Sequence, residues 1–226
     1  ATAQASVKYE LSITNGSQMP LSPGVIYTKN GGEAATVIGA TPTAALIQLC
    51  QSGMTAPRTT ELRADATVKN VIQTNAPILP GETRVVEVEV LDPSQQSIHF
   101  ETMYGKTKDT CGVASINSHS LIALKQHVAP LVLAKDNVVV TGAFNDPTLP
   151  SSLAYPGTSV CPSAMSATAC LRELATSSSG VSRIRFASNY LPSLITALEM
   201  KFGAAEVQTL LVPAAGAVQL KLKLKH

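Results

Sequence analysis

The chain has 226 residues, of which 14% are charged and 4% aromatic, with no tryptophan and a formal charge of +2. That length is enough to bury a full core without metal or disulfide support. The thin, evenly spread charge shows no basic stripe interleaved with aromatics, which excludes nucleic acid as a partner, and no apolar run approaches the length that spans a bilayer.

In chain order, Tyr9–Thr14 alternates buried-type and polar residues with the period of a strand. Asn15-Gly16-Ser17, which is also a glycosylation sequon, and Pro20-Leu21-Ser22-Pro23-Gly24 break the pattern before Val25–Thr28 resumes it. Thr41-Pro42-Thr43 places a capping hydroxyl ahead of proline at the first helical position, so a buried helix is predicted through Leu46, Ile47, Leu49 and Cys50, ending near Gly53. A second helix is predicted over Thr60–Ile72, with Leu62, Ala66, Val68 and Ile72 as its apolar side.

Leu79–Val90 is the pivot: Pro80-Gly81 turns the chain, and Val86, Val88 and Val90 then alternate with Glu87 and Glu89. Ser97–Tyr104 reads as its hairpin partner across Asp92-Pro93-Ser94. Gly105–Cys111 reads as polar loop, and Ile116–Leu124, Ala129–Ala134 and Val138–Thr141 as further extended segments. Long loop is predicted from Asn145 to Ser163, then a helix over Ser163–Ala175, a short strand at Val181–Phe186 and a helix over Leu191–Phe202 stopped by Gly203. Val218–Lys225 closes the chain with Leu220, Leu222 and Leu224 on one side and Lys221, Lys223 and Lys225 on the other. First, middle and last segments with one period predict a mainly β fold, an antiparallel β-sandwich with a few short helices in its connections. It is expected as a single domain over residues 1–226, with a loop and helix insertion at about 145–203.

No phosphate-cradling loop, dinucleotide fingerprint or nucleophile elbow occurs; Gly157-Thr158-Ser159-Val160-Cys161 comes nearest and lacks the second glycine. The expected function is therefore non-enzymatic: binding or structural contact at a cell surface or in an extracellular matrix. A hydroxyl-rich surface and alternating terminal segments also point to self-assembly by strand addition. The alternative is an extracellular or periplasmic copper protein using His99, His119 and His127, with Met103 four residues beyond His99 on the same side of its strand. The three lysines read first as protection of a sheet edge and second as a surface for acidic glycans or anionic lipid. Ala1-Thr2-Ala3-Gln4-Ala5 resembles a mature end left by cleavage among small residues, and with four cysteines it predicts export to a secreted, surface or periplasmic location. Four cysteines permit three pairings.

Four segments resemble the spondin domain family, specifically its bacterial secreted members. These are Tyr9–Asn15 with Leu21-Ser22-Pro23, the helix end Leu49-Cys50-Gln51-Ser52-Gly53, the turn Leu79-Pro80-Gly81-Glu82-Thr83, and Thr102-Met103-Tyr104 through Asp109. The resemblance covers the first half, to about Leu124, and the segment from Cys161 to Phe202 departs from it. It implies a sandwich similar to C2 domains, exported and engaged with protein or glycan at the cell surface. In animal relatives acidic residues at one end of the sandwich hold calcium. Here the helix end carries Cys50, Gln51, Ser52 and Met54, and only Asp109 matches a calcium position. What the resemblance implies instead is a Cys50–Cys111 disulfide where relatives hold metal, leaving a local Cys161–Cys170 pair.

Overall fold

The computed structural model describes residues 6–107, 110–141, 161, 164–177, 183–187, 192–211 and 216–226. Its strands are β1 (Val7–Asn15), β2 (Val25–Asn30), β3 (Val68–Gln73), β4 (Thr83–Val90), β5 (Gln96–Met103), β6 (Thr110–Ile116), β7 (Val132–Val140), β8 (Arg185–Phe186) and β9 (Val218–Leu224). Helices are α1 (Ala44–Ser52), α2 (Thr55–Ala64), α3 (Ser118–Lys125), α4 (Ala167–Ser177), α5 (Pro192–Phe202) and α6 (Ala204–Gln208).

The three alternating segments meet as expected. β1 lies between β4 and β9, antiparallel to both, with Leu11 opposite Val86 on one side and Leu222 on the other. The full order is β3-β2-β5-β6-β7-β9-β1-β4, with β8 added beside β7. β7 belongs to both layers, since its first half pairs with β9 and its second with β6. The sheet thereby curls over itself into a nearly barrel-shaped sandwich. Tyr9, Leu11, Ile13, Val88, Leu220 and Leu222 from one layer pack on Ile26, Ile98, Phe100, Ile116 and Val138 from the other. This is the two-layer solution for sheets with one apolar face.

Several elements differ from expectation for identifiable reasons. β4 and β5 are not a hairpin: β4 pairs with β1, while β5 pairs with β2 and β6. The turn at Asp92 instead carries the chain between layers, so that Val88 and Val90 face Ile98 and Phe100 within one core. The predicted helix over Thr60–Ile72 is split. Asp65 accepts hydrogen bonds from the Thr67 amide (2.8 Å) and hydroxyl (2.6 Å), a local turn that ends α2, and Val68, Val71 and Ile72 continue as β3. The cap of α1 is Thr43 rather than Thr41, its hydroxyl accepting from the Leu46 amide at 3.2 Å. Beyond Ile116 the chain is helical, because Asn117 caps the Ser120 amide at 2.9 Å. Ala129–Ala134 and Val138–Thr141 merge into β7, and the polar loop after Gly105 gives way to β6 already at Thr110.

Leu79-Pro80-Gly81-Glu82 forms the expected turn, with Gly81 at φ 79° and the Glu82 amide donating to the Leu79 carbonyl at 2.9 Å. Asn15 anchors it. The Gly81 amide donates to the Asn15 carbonyl, and the Asn15 side-chain amide donates to the carbonyls of Met19 (2.9 Å) and Ile78 (2.8 Å). Asn15 is fully buried, so its sequon is closed to glycosylation in the folded protein.

α4, α5 and α6 bury a second cluster of Ala167, Leu171, Leu194, Leu198, Val207 and Leu210 around the Cys161–Cys170 disulfide. Arg172 binds this lobe to the sandwich, donating to the carbonyls of Gln51 (3.1 Å), Gly105 (3.4 Å) and Thr107 (2.7 Å). Residues 142–160, which hold most of the predicted long loop and the Gly157–Val160 part of the weak elbow, lie outside the described residues, as do 1–5.

Candidate functional site

Two surfaces carry the residues singled out in the sequence. The first is the outer face of the β4-β1-β9-β7 layer. Because these strands are in register, their outward side chains line up in rows: Val85, Ser12, Lys221 and Leu133 in one, Thr83, Thr14, Gln219 and Lys135 in the next. Lys221, Lys223 and Lys225 share this face as predicted, but β9 is paired on both sides, so they guard no edge. Nor do the terminal strands offer free ladders for strand addition, since β1 also has both neighbours.

The lysines differ from one another. Lys223 pairs with Glu10 at 2.7 Å, Lys8 with Glu87 at 2.9 Å, and Lys225 also with Glu87. Hydrogen bonds from Lys225 and Lys8 hold the Glu87 carboxyl down at about 2. Lys221 and Lys135 have no carboxylate partner among the described residues. Beside them Leu133 is 72% and Val85 55% exposed, so two ammonium groups without a carboxylate partner among the described residues stand on the outer face with apolar shoulders.

The second surface is the outer face of β2, β5 and β6, covered by α1, α2 and the segment 31–42. This cover explains why every residue of β5 is buried. On that face Glu101 is completely buried and receives Arg58 through Nε (2.8 Å) and Nη2 (3.0 Å), the Tyr27 hydroxyl (2.8 Å) and the Thr36 hydroxyl (2.7 Å). Arg58 continues to Glu61 at 2.6 Å, and Tyr27 accepts from the Ala35 amide at 2.8 Å. Burial pushes the Glu101 carboxyl up, but the guanidinium and the donated hydrogen bonds outweigh it and hold it below the usual carboxylate range.

His99 lies directly across from Ser115 on β6 and stacks on Tyr27 with ring centroids 5.0 Å apart. Its Nδ1 is 2.8 Å from the Ser115 hydroxyl, and its Nε2 has no partner. Burial drives the imidazole down to about 4, with Glu101 opposing. The folded pKa lies below the unfolded one, so the stability that neutral His99 contributes is present above pH 6.5 and lost as pH falls toward 4. The expected loss is about 3 kcal/mol over that window. His99→Phe should remove this component, seen as a shallower fall of the urea midpoint between pH 6.5 and 4; equal slopes would refute it.

The expected copper residues are spread apart. Met103 shares the face of His99 but stands about 13 Å further along the strand by its rise per residue, with Glu101 between them. It packs on the Cys50–Cys111 disulfide. His119 is exposed on α3, and exposed His127, at φ 57°, stacks on His226. Among the described residues no three His, Cys, Asp or Glu side chains are grouped to hold a metal. Asp109, the expected calcium position, lies outside the described residues.

Both disulfides pair as the resemblance implied: Cys50 with Cys111 and Cys161 with Cys170, leaving no free cysteine. No family model matches the chain, and no curated protein does. Among the described residues no helix is long and apolar enough to cross a membrane.

Sequence reading named His99 and the lysines but missed Glu101, Arg58, Tyr27 and Ser115. The one signal available for Glu101 was its position two residues after His99, on the same side of a predicted strand.

Proposed function

We propose that this chain is an exported, non-enzymatic binding module of the cell surface or extracellular matrix, and that the outer face of its β4-β1-β9-β7 layer engages an anionic glycan. The observation that carries the reading is the row Val85, Ser12, Lys221, Leu133, with Lys135 in the adjoining row. Unpaired ammonium groups attract sulfate or carboxylate, neighbouring hydroxyls and amides hydrogen-bond sugar, and exposed aliphatic groups pack against sugar-ring faces. Two disulfides fit an oxidising compartment, and the spondin-like segments point to the same setting.

Retention on immobilised heparin tests it. The protein should bind at low salt and elute as ionic strength rises, and Lys135→Ala with Lys221→Ala should weaken binding about tenfold without loss of stability, since both side chains are exposed. Retention unchanged in the double variant, or absent from the parent protein, overturns the reading. Capture of a protein partner with no heparin binding overturns the glycan as well.

A further inference from the structure

A cavity of about 320 Å³ opens on the covered outer face, next along β7 from the row that holds Lys135. Its floor is Val113 and Ser115 of β6 with Asn137 and Val139 of β7. Val37 and Ile38 wall one side and Phe186 of β8 contributes from another, each of the three 42% exposed or more. The wall is built in advance. Ala35 and Thr36 are tied to Tyr27, Glu101 and Arg58, and the Gly39 amide and Ala40 carbonyl bond to Ile184 at 2.8 Å each. Val37 and Ile38 are therefore held between two fastened points. Phe186 is placed by its pairing with Val139. Solvent-exposed apolar side chains converging on a concave, preformed space are the usual marks of a small-molecule site.

The floor has a defined polarity. His99 is completely buried, and one of its ring nitrogens has no partner. A buried orphan N–H is rarer and more costly than an orphan lone pair, which assigns the proton to Nδ1. Nδ1–H then donates to the Ser115 oxygen at 2.8 Å, which frees the Ser115 hydroxyl hydrogen to donate to a molecule in the cavity that Ser115 lines. The imidazole is neutral at pH 7, and among the described residues that line the space the charged side chain is that of Glu33, with no cation beside it.

We infer that this cavity binds a small, neutral, mainly apolar molecule through a carbonyl oxygen that accepts from Ser115. Aliphatic ketones, esters and lactones have this chemistry; fatty-acid carboxylates do not suit it.

Titration with 2-nonanone, followed by amide shifts, tests the assignment. Saturable shifts are expected at Val113, Ser115, Asn137 and Val139, with nonanoate at pH 7.5 binding at least tenfold more weakly. Ser115→Ala should weaken the ketone about fivefold, the equivalent of one neutral hydrogen bond, with shifts beyond His99 and its immediate neighbours unchanged. Ile38→Asp should abolish binding. Imidazole nitrogen shifts should show Nδ1 protonated. No saturation up to the solubility of the ketone, equal binding of nonanoate, an unaffected Ser115→Ala variant, or a proton on Nε2 would each overturn it. Lys135 lies two residues before Asn137 on the same side of β7, but neither it nor Lys221 lines the cavity, so loss of ketone binding and loss of heparin binding are read from different variants, Ser115→Ala and Ile38→Asp for the first and Lys135→Ala with Lys221→Ala for the second.

Discussion

Arg58→Met is expected to destabilise the protein by about 3–5 kcal/mol at neutral pH, the loss that follows when one partner of a buried ion pair is removed. Glu101 would keep the Tyr27 and Thr36 hydroxyls but lose its only guanidinium, inside a face from which water is excluded. The pH dependence follows from the sign of the shift. In the parent protein Glu101 is held below the usual carboxylate range, so its contribution is present above about pH 4.5 and lost as pH falls through the folded value. With Arg58 gone, burial is opposed only by the hydrogen bonds from Tyr27 and Thr36 and raises the carboxyl, so the variant should lose stability as pH rises and the gap between the two proteins should narrow in acid. Urea unfolding at pH 7.5 and pH 5 measures both effects. The double variant Arg58→Met with Glu101→Leu should recover most of the loss, because an apolar pair of similar volume requires no charge compensation. A single variant within 1 kcal/mol of the parent, or a double variant no better than the single, would show that the pair is not what holds α2 on β5.

How far such a site can be read in advance depends on what each strand buries. β1, β4 and β9 each have one apolar and one wet face, and their period of two gave their boundaries and placed all three lysines on one side. β5 has no wet face. Its outward Ser97, His99 and Glu101 look solvent-directed in sequence, whereas they are buried under α2 and the segment before α1. Polar residues can occupy a covered face only where partners exist, and those partners are 43 residues away in Arg58 and 65 away in Thr36. Nothing local announces such a pairing. β3 was hidden for a related reason: Leu62, Ala66 and Val68 fit a helical spacing, and only the turn at Asp65 and pairing to β2 decide between the two periods.

The cavity floor shows the same limit. His99 stood out as an isolated histidine, but the meaning of the residue lies in its register, because Ser115 is opposite only if β5 pairs with β6 at that offset. Strand pairing between β5 and β6 is antiparallel over six residue pairs and could not be read in advance, because most of β6 fell between the predicted loop Gly105–Cys111 and the predicted segment Ile116–Leu124. In the lobe, α4 and α5 were legible as helices while α6, beyond the predicted stop at Gly203, was not, and the second cluster was hidden because its anchor to the sandwich is made by Arg172 to main-chain carbonyls that carry no side-chain signature.

Removing the Cys50–Cys111 bridge by changing both residues to alanine is expected to lower stability by about 4 kcal/mol, from the entropy of opening a long loop in the unfolded chain. The separation of 61 residues is what makes the effect large; Cys161–Cys170, separated by 9, should contribute about 2.6 kcal/mol by the same relation. Position adds to length. Cys50 lies in the last turn of α1 and Cys111 is the second residue of β6, and both are completely buried with Leu46, Leu49, Met103 and Val113 around them, so the bridge fixes the helix that covers one end of the outer face. Loss of two sulfur atoms there also leaves a space that the neighbours fill incompletely. Cys161→Ala with Cys170→Ala should act on the helical lobe while leaving the sandwich core exchange-protected. Amide exchange separates the two: opening in α1 and β6 for the first variant, in α4 and α5 for the second. A larger loss from the short bridge than from the long one would contradict the chain-entropy account, and would mean that the helical lobe rather than the Cys50–Cys111 clasp limits the stability of the whole chain.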